Sequence, residues 1–379
     1  MMLRGSSSSC ACLVAAIACL PAAIVSAQER EAEDSTALPF GAVIAETATP
    51  TPPTDWCATF EKWKAKGLLG YLDPGSDCPI QGECDLPEVR DSYLPDEGTP
   101  MKVIRVHLLA FRRDDGTDPV TTEEQIIESM QLINTQYEPH RIRFIYTWQW
   151  VDDTTYRYGN GNDYQMKQTY AVDPEHRCNI YIIARGSAYG VFPWDPAALT
   201  AQGGIVMGDQ LWGPPYYALA HEMGHNVGLW HTHHGVSEVP ECGECYEQAD
   251  GTDAETTGDF CGQTPPTPVN HTCDPPGGID PCCGVEWGPT QPENYMGYGL
   301  SCWEFFVHQQ AGRMHCWVEA VLFPWLTCLG DFDGDGDVDT ADLLFLLGAW
   351  GTPDGDVDGD GDTDTADLLA LLAAWGECP

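Results

Sequence analysis

Residues 221 to 231 read HEMGHNVGLWH, and the rest of the chain is best read outward from this stretch. It fits HExxHxxGxxH at every specified position. His221 and His225 are four residues apart, so on a helix their imidazoles project from one face, one turn apart, and can reach one metal ion. A third ligand cannot come from the same straight helix. Gly228 is therefore expected to end it in a backbone conformation that side chains tolerate poorly, bringing His231 round. Three neutral imidazoles suit one zinc ion and leave a fourth position for water, whose pKa the metal lowers toward about 7. Glu222, beside the ligands, is placed to take that water's proton and pass it to a leaving amine, which is the chemistry of peptide-bond hydrolysis. A structural zinc would instead close its fourth position with Cys or His. His233 and His234 are the candidates, although a solvated loop is their more ordinary reading.

Upstream, residues 102–111 read as a strand, 121–136 as an amphipathic helix started by Thr122, and 142–151 as a strand. A further strand at 179–184 and the apolar run 204–207 precede Gly213, Pro214 and Pro215, which stop that element and open the helix of the zinc motif. The pattern implies an α+β domain with a mixed sheet backed by helices. Downstream, NYMGY from Asn294 offers Met296 as the methionine of a Met-turn beneath the metal. Tyr298 follows two residues later.

ALAHEMGHNVGLWHTH from Ala218, GDFCGQTPPT from Gly258, NYMGYGLSC from Asn294 and a closing helix with Gln310, Arg313 and Met314 together resemble the pappalysin family of metzincin peptidases over roughly residues 101–327. The resemblance implies a zincin-like domain with a mixed, mostly parallel five-stranded sheet, two lobes around a cleft, and a substrate polypeptide bound antiparallel to the edge strand. It also implies disulfides below the cleft, where Cys261, Cys273, Cys282, Cys283 and Cys302 fall. Tyr298 resembles a tyrosine that in several metzincin families hydrogen-bonds the oxyanion of the transition state; a core tyrosine is the competing reading. Gln263 and Gly297 stand where relatives usually carry Asp, which puts a calcium site near the cleft in doubt. Cys242 and Cys245 imitate half a zinc ribbon, but no second CxxC follows and a disulfide reads better.

The chain has 379 residues, long for one domain, and 58 acidic against 17 basic side chains give a formal net charge of -41. That balance argues against nucleic acid or an anionic membrane surface as partner and favours cations. Residues 1–27 read as a secretory signal: Arg4, an apolar run from Cys10 to Val25, then Val25, Ser26 and Ala27 at the cleavage site. No later stretch is long and apolar enough to span a bilayer. Of 17 cysteines, loss of Cys10, Cys12 and Cys19 leaves 14, an even number that suits an oxidising, extracellular compartment and up to seven disulfides. Residues 28–98 read as a propeptide or spacer containing Cys57, Cys78 and Cys84. One of these thiols could cap the zinc in a latent precursor; a local disulfide is the preferred reading.

After a catalytic region at 99–327, residues 328–379 hold 13 Asp and one Glu without Lys or Arg. Here DFDGDGDVDTAD from Asp331 and DVDGDGDTDTAD from Asp356 repeat with a period of 25. Asp331, Asp333, Asp335, Asp337 and Asp342 in one loop, and Asp356, Asp358, Asp360, Asp362 and Asp367 in the other, alternate oxygen ligands as a calcium ion requires. Gly336 and Gly361 permit the central turn. Each loop leads into an apolar helix, LLFLLGAWG or LLALLAAWG, expected to pair with its copy. The unit resembles a dockerin type I pair, a small all-α module binding two calcium ions, with Cys328 and Cys378 stapling its ends. The resemblance implies docking on a cohesin-like or cell-surface partner; a calcium-stabilised tail without a partner is the alternative.

The sequence thus leads to a secreted zinc endopeptidase acting on protein or peptide substrates. Its rival is a catalytically silent extracellular adhesion protein attached through the calcium module.

Overall fold

The computed structural model describes residues 56–66, 78, 81–159, 162–333, 336–352, 355–357 and 362–378. The signal expected at 1–27, and Asp335, Asp358, Asp360 and Gly361 of the acidic repeats, lie outside the described residues. The chain forms α1 (Thr59–Ala65), α2 (Pro87–Ser92), β1 (Lys102–Arg112), α3 (Glu123–Tyr137), β2 (Ile142–Asp152), α4 (Thr154–Arg157) and α5 (Asp163–Tyr170). Then follow β3 (Cys178–Ile183), β4 (Tyr189–Gly190), β5 (Ile205–Gly208), α6 (Asp209–Trp212), α7 (Leu219–Asn226), α8 (His234–Ser237) and α9 (His308–Ala320). The C-terminal part adds β6 (Leu326–Thr327), β7 (Asp337–Val338), α10 (Thr340–Gly348), α11 (Thr365–Ala373) and β8 (Gly376–Glu377).

The sheet runs β2-β1-β3-β5-β4, with β6 also on β1. The first four strands are mutually parallel, whereas β4 is antiparallel to β5 and β6 to β1. This is the expected mixed, mostly parallel five-strand path, extended by one short strand. β1 is almost wholly buried because both its faces are covered. Leu108 and Ala110 point into the large core with α3 and α7, while Leu109 and Phe111 point into a second core on the opposite face. α3 starts with a capping box in which Thr122 and Gln125 each accept the other's backbone N–H at 3.2 Å. Its Ile126, Met130, Ile133 and Tyr137 form the buried stripe that backs the sheet.

Among the described residues five disulfides form: Cys78–Cys245, Cys84–Cys316, Cys242–Cys282, Cys273–Cys302 and Cys328–Cys378. Cys57, Cys178, Cys261 and Cys283 are free thiols, so the expected limit of seven bridges is not reached. The preferred local disulfide within residues 28–98 is also overturned: Cys78 and Cys84 bond to partners 167 and 232 residues away, and Cys57 bonds to none. Residues 81–98 are built into the domain that follows. Besides the Cys84 bridge, buried Arg90 donates to the Phe260 carbonyl at 2.5 Å and pairs with Glu255 at 2.6 Å, and Asp85 pairs with buried Arg313.

The C-terminal unit departs from an all-α module, since β7 and β8 pair antiparallel. Leu346 and Leu371 are buried between α10 and α11, but much of the helices' apolar surface is not: Leu344, Leu347 and Trp350, and their repeats Leu369, Leu372 and Trp375, are exposed. Among the described residues, no helix is long and apolar enough to cross a membrane.

Candidate active site and metal centre

α7 places the first two histidines. It runs so close to the edge strand that a Cβ on Gly190 would lie 2.4 Å from the Glu222 carbonyl oxygen, and on another side a Cβ on Gly224 would lie 2.4 Å from the Met296 sulfur. Met296 is fully buried, and its carbonyl accepts from Thr232 N at 3.2 Å, tying its turn to the segment that follows His231. Beyond α7, Gly228 has φ +105°, and a Cβ there would meet the Trp317 ring at 2.3 Å. Arg313 Nε of α9 donates to the Gly228 carbonyl at 2.6 Å, and Leu229 N to Gly224 O at 2.8 Å. This turn carries His231 back over the helix.

The three imidazoles converge. His225 Nε2 lies 3.1 Å from His221 Nε2 and 3.0 Å from His231 Nε2. Each Nδ1 faces an acceptor: Tyr295 O at 2.7 Å for His221, Leu229 O at 2.8 Å for His225 and Glu238 Oε1 at 2.6 Å for His231. Carbonyl and carboxylate oxygens only accept, so the Nδ1 atoms carry the protons and three Nε2 lone pairs point at one place. Such a set repels itself unless a cation lies among it, and its separations suit nitrogens about 2.0–2.1 Å from a shared zinc. Burial and then the neighbouring imidazoles push His221 and His225 well below the ordinary histidine range, which keeps both neutral as metal ligation requires. The donor set therefore fits zinc.

Cys57 completes the cluster: its thiol and the three histidine nitrogens all lie within 4.8 Å of one another. It sits 3.5 Å from His225 Nε2 and 3.8 Å from Glu222 Oε2. Burial and then the Glu222 charge push this thiol well above its ordinary value; a cation at the convergence point acts in the opposite direction. Glu222 is fully buried, and burial pushes its carboxyl up to about 8 against the hydrogen bond from Thr59 Oγ1 at 3.1 Å. Its Oε1 has no partner among the described residues. Residues 56–58 lie along the edge strand: Ala188 N donates to Trp56 O and Ala58 N to Ala188 O, both at 2.8 Å, with Cys57 and Ala188 bridged in parallel.

Tyr298 reaches the site too. Its ring lies edge-on to His231 at 4.9 Å, and its hydroxyl donates to the Cys57 carbonyl at 3.5 Å. His233 and His234, expected in a solvated loop, are buried in the layer behind the ligands. His233 stacks on His231 at 4.6 Å, and His234 Nδ1 shares the Glu238 carboxylate at 2.7 Å. Burial disfavours the Glu238 charge, but His231 and His234 outweigh it and hold this carboxyl well below its usual range. Gln263 serves α9: its backbone N–H donates to Gln309 Oε1 at 2.8 Å and its side chain accepts from Gln309 N at 3.0 Å. Cys242 and Cys245 sit in separate disulfides.

In the C-terminal unit, carboxylates cluster as Asp331, Asp333 and Asp342, as Asp337, Asp339 and Asp342, and as Asp362, Asp364 and Asp367. Asp339 and Asp364, outside the expected ligand sets, also cap α10 and α11. Sequence reasoning missed Trp56, Thr59 and Glu238 at the main site. None carries a local motif, and each is recognised only through contacts made by folding.

No family model matches the sequence. Human pappalysin-1 is 32% identical over 170 residues, covering 42% of this chain and 10% of its own length. Extracellular metalloprotease 1 of Coccidioides posadasii is 26% identical over 236 residues, 55% of this chain and 73% of that protein. The chain thus spans about a tenth of the length of the human pappalysin-1 that it matches. Among solved structures, a promirolysin mutant of Tannerella forsythia is similar in fold, with TM-score 0.50 at 15% identity over 70% of this chain and 94% of that one.

Removing the carboxylate that orients His231 tests the arrangement. Glu238→Ala is expected to weaken zinc binding about 10- to 100-fold in competition with a chromophoric chelator, whereas Glu238→Gln, which still accepts from Nδ1, retains most of it. Equal affinities for the parent and Glu238→Ala would remove Glu238 from the metal centre.

Proposed function

We propose that this chain, a pappalysin-type metzincin by its sequence and fold, is a secreted zinc-dependent endopeptidase held latent by its own residues 56–66. One observation carries the reading: three histidine lone pairs converge beside Glu222 at an edge strand, and a segment of the same chain lies along that strand with a thiol at the metal position. His221, His225 and His231 would hold zinc, which supplies a Lewis acid that acidifies water and polarises a carbonyl. Glu222 takes the proton of the attacking water and returns it to the leaving amine. Tyr298, whose hydroxyl donates to the Cys57 carbonyl, would donate to a substrate carbonyl oxygen in the same place. Five disulfides and a relative named as extracellular support an extracellular setting, with protein or peptide as substrate.

The segment to be removed is shorter than residues 28–98. α1 leaves by itself only if the chain is cut after Lys66, and Cys78 and Cys84 stay covalently tied to Cys245 and Cys316. Maturation therefore requires a cut between Lys66 and Cys78. Salt bridges from Lys62 to Asp163 at 2.9 Å and from Lys66 to Asp195 at 2.5 Å hold α1 until then.

The C-terminal unit is proposed to bind one calcium ion per repeat, through Asp331, Asp333, Asp337 and Asp342 with Asp335, and through Asp356, Asp362 and Asp367 with Asp358 and Asp360. The exposed Leu side chains repeated on α10 and α11, and the exposed Trp just after each helix, support a docking role for it on an extracellular partner.

Glu222→Gln is expected to abolish peptide cleavage while zinc content stays at the parent level; undiminished cleavage, or cleavage indifferent to a zinc chelator, ends the peptidase reading. Cys57→Ser replaces a strong zinc ligand with a weak one, so the uncut chain should cleave peptides about tenfold faster than the uncut parent; equal rates would show that Cys57 does not enforce latency. Calorimetric titration of the decalcified chain is expected to give one calcium per repeat, lost in Asp342→Ala combined with Asp367→Ala.

A further inference from the structure

The latent chain shows what its cleft accepts. Trp56, the residue before the thiol, is fully buried between parts of the protein that remain after α1 departs. Its indole lies 4.7 Å from the His221 ring, 5.1 Å from Tyr298 and 5.7 Å from Trp303, in edge or tilted arrangements favourable for aromatic pairs. Trp303 is itself stacked on His221 at 5.4 Å with 13° between planes. One wall of the slot is thus a proposed zinc ligand, and the slot adjoins the reacting centre. The slot is also apolar: neither the Trp56 nor the Trp303 indole N–H has a hydrogen-bond partner among the described residues.

Resting on the peptidase reading above, we infer that the slot walled by His221, Tyr298 and Trp303 is the side-chain subsite next to the scissile bond, and that it selects substrates carrying a large aromatic residue there, with Trp56 as its built-in occupant. Trp56 lies on a segment parallel to its edge-strand partner, opposite to the run that the resemblance implies for substrates. A slot made of three rings reads the shape of the inserted ring rather than the direction of the chain that brings it. A smaller or charged side chain leaves the rings unfilled or brings a charge that no described residue of the slot neutralises. The preference acts on binding and carries into kcat/KM, because filling the slot holds the neighbouring carbonyl within reach of the Tyr298 hydroxyl, as Trp56 does for the Cys57 carbonyl.

The test uses the full chain, with its disulfides intact, cut between Lys66 and Cys78 and freed of the excised segment. A peptide library read by mass spectrometry is expected to show Trp, Phe or Tyr at one position flanking the cut, with kcat/KM about tenfold or more above the alanine counterpart. Trp303→Leu should lower that aromatic-to-alanine ratio about tenfold, whatever it does to absolute rates. A second measurement does not depend on how that variant folds. A peptide of residues 53–61 carrying serine at 57 should inhibit the cut chain, and replacing its tryptophan by alanine should weaken inhibition about tenfold. Cleavage without aromatic enrichment, enrichment of Lys or Arg instead, an unchanged ratio in Trp303→Leu, or equal inhibition by the two peptides overturns the subsite. Absence of all zinc-dependent cleavage overturns the peptidase reading itself.

Discussion

Three converging imidazole nitrogens, with His225 Nε2 3.1 and 3.0 Å from those of His221 and His231, are the constraint around which this molecule is organised. Neutral nitrogens do not gather this way unaided; each ring must be turned and its tautomer fixed by an acceptor at Nδ1. Three different pieces of the chain supply these acceptors, two as backbone carbonyls and one as a side-chain carboxylate. The Tyr295 carbonyl comes from the Met-turn, which is braced by reciprocal amide bonds between Asn294 and Gln310 at 2.9 and 3.1 Å. The Leu229 carbonyl follows the Gly228 turn pinned by Arg313, and the Glu238 carboxylate stands just beyond α8. Zinc motif, Met-turn and closing helix are distant in sequence because each orients a different ring of one cluster.

Residues 56–59 answer each requirement of that cluster in turn. Trp56 fills the slot beside His221, Cys57 brings a soft ligand to the lone pairs, and Thr59 hydrogen-bonds the Glu222 carboxylate. On the proposed reading, a covalently attached occupant acts at high effective concentration, so modest individual contacts would suffice to exclude a substrate until the chain is cut. Loss of the segment from the molecule requires breaking a peptide bond upstream of Cys78, because Cys78 and Cys84 are locked by Cys78–Cys245 and Cys84–Cys316. The strap from Cys84 onward also helps to support the site. Asp85 pairs with Arg313, the same arginine that holds the Gly228 turn.

What could be read in the sequence is what depends on local spacing. Helical periodicity puts His221 and His225 on one face, a glycine marks the turn to His231, and a mainly apolar run from Val103 to Phe111 marks β1. Met296 and Tyr298 became legible through a second short motif. Contacts that span the chain were not legible. A free thiol and a disulfide thiol look alike in sequence, so Cys57 could not be told from Cys78 or Cys84 until a partner 165 or more residues away was in place. Glu238 sits in the Asp- and Glu-rich stretch 237–259, whose composition suggests solvent, yet the fold buries it with His231 and His234. The apolar helices of the C-terminal unit were expected to consume their leucines in mutual packing. A pair of nine-residue helices has too little shared surface for that, and half of each remains uncovered.

The way this unit joins the sheet bears on what those uncovered side chains can do. Among the described residues, no free linker separates it from the domain that carries the histidine cluster. Trp325 is buried in the main core, Leu326 and Thr327 pair with β1, Cys328 is tied to Cys378, and Asp331 is already buried. The second repeat is anchored separately, because Arg143 of β2 donates to the Val357 carbonyl at 2.6 Å. Both repeats therefore rest on the sheet at their first turns. A partner gripped by α10 and α11 would be held at a fixed offset from the cleft instead of swinging on a tether, and a rigid offset favours cleavage at positions a set distance from the docking point. A flexible acidic tail would give no such restriction.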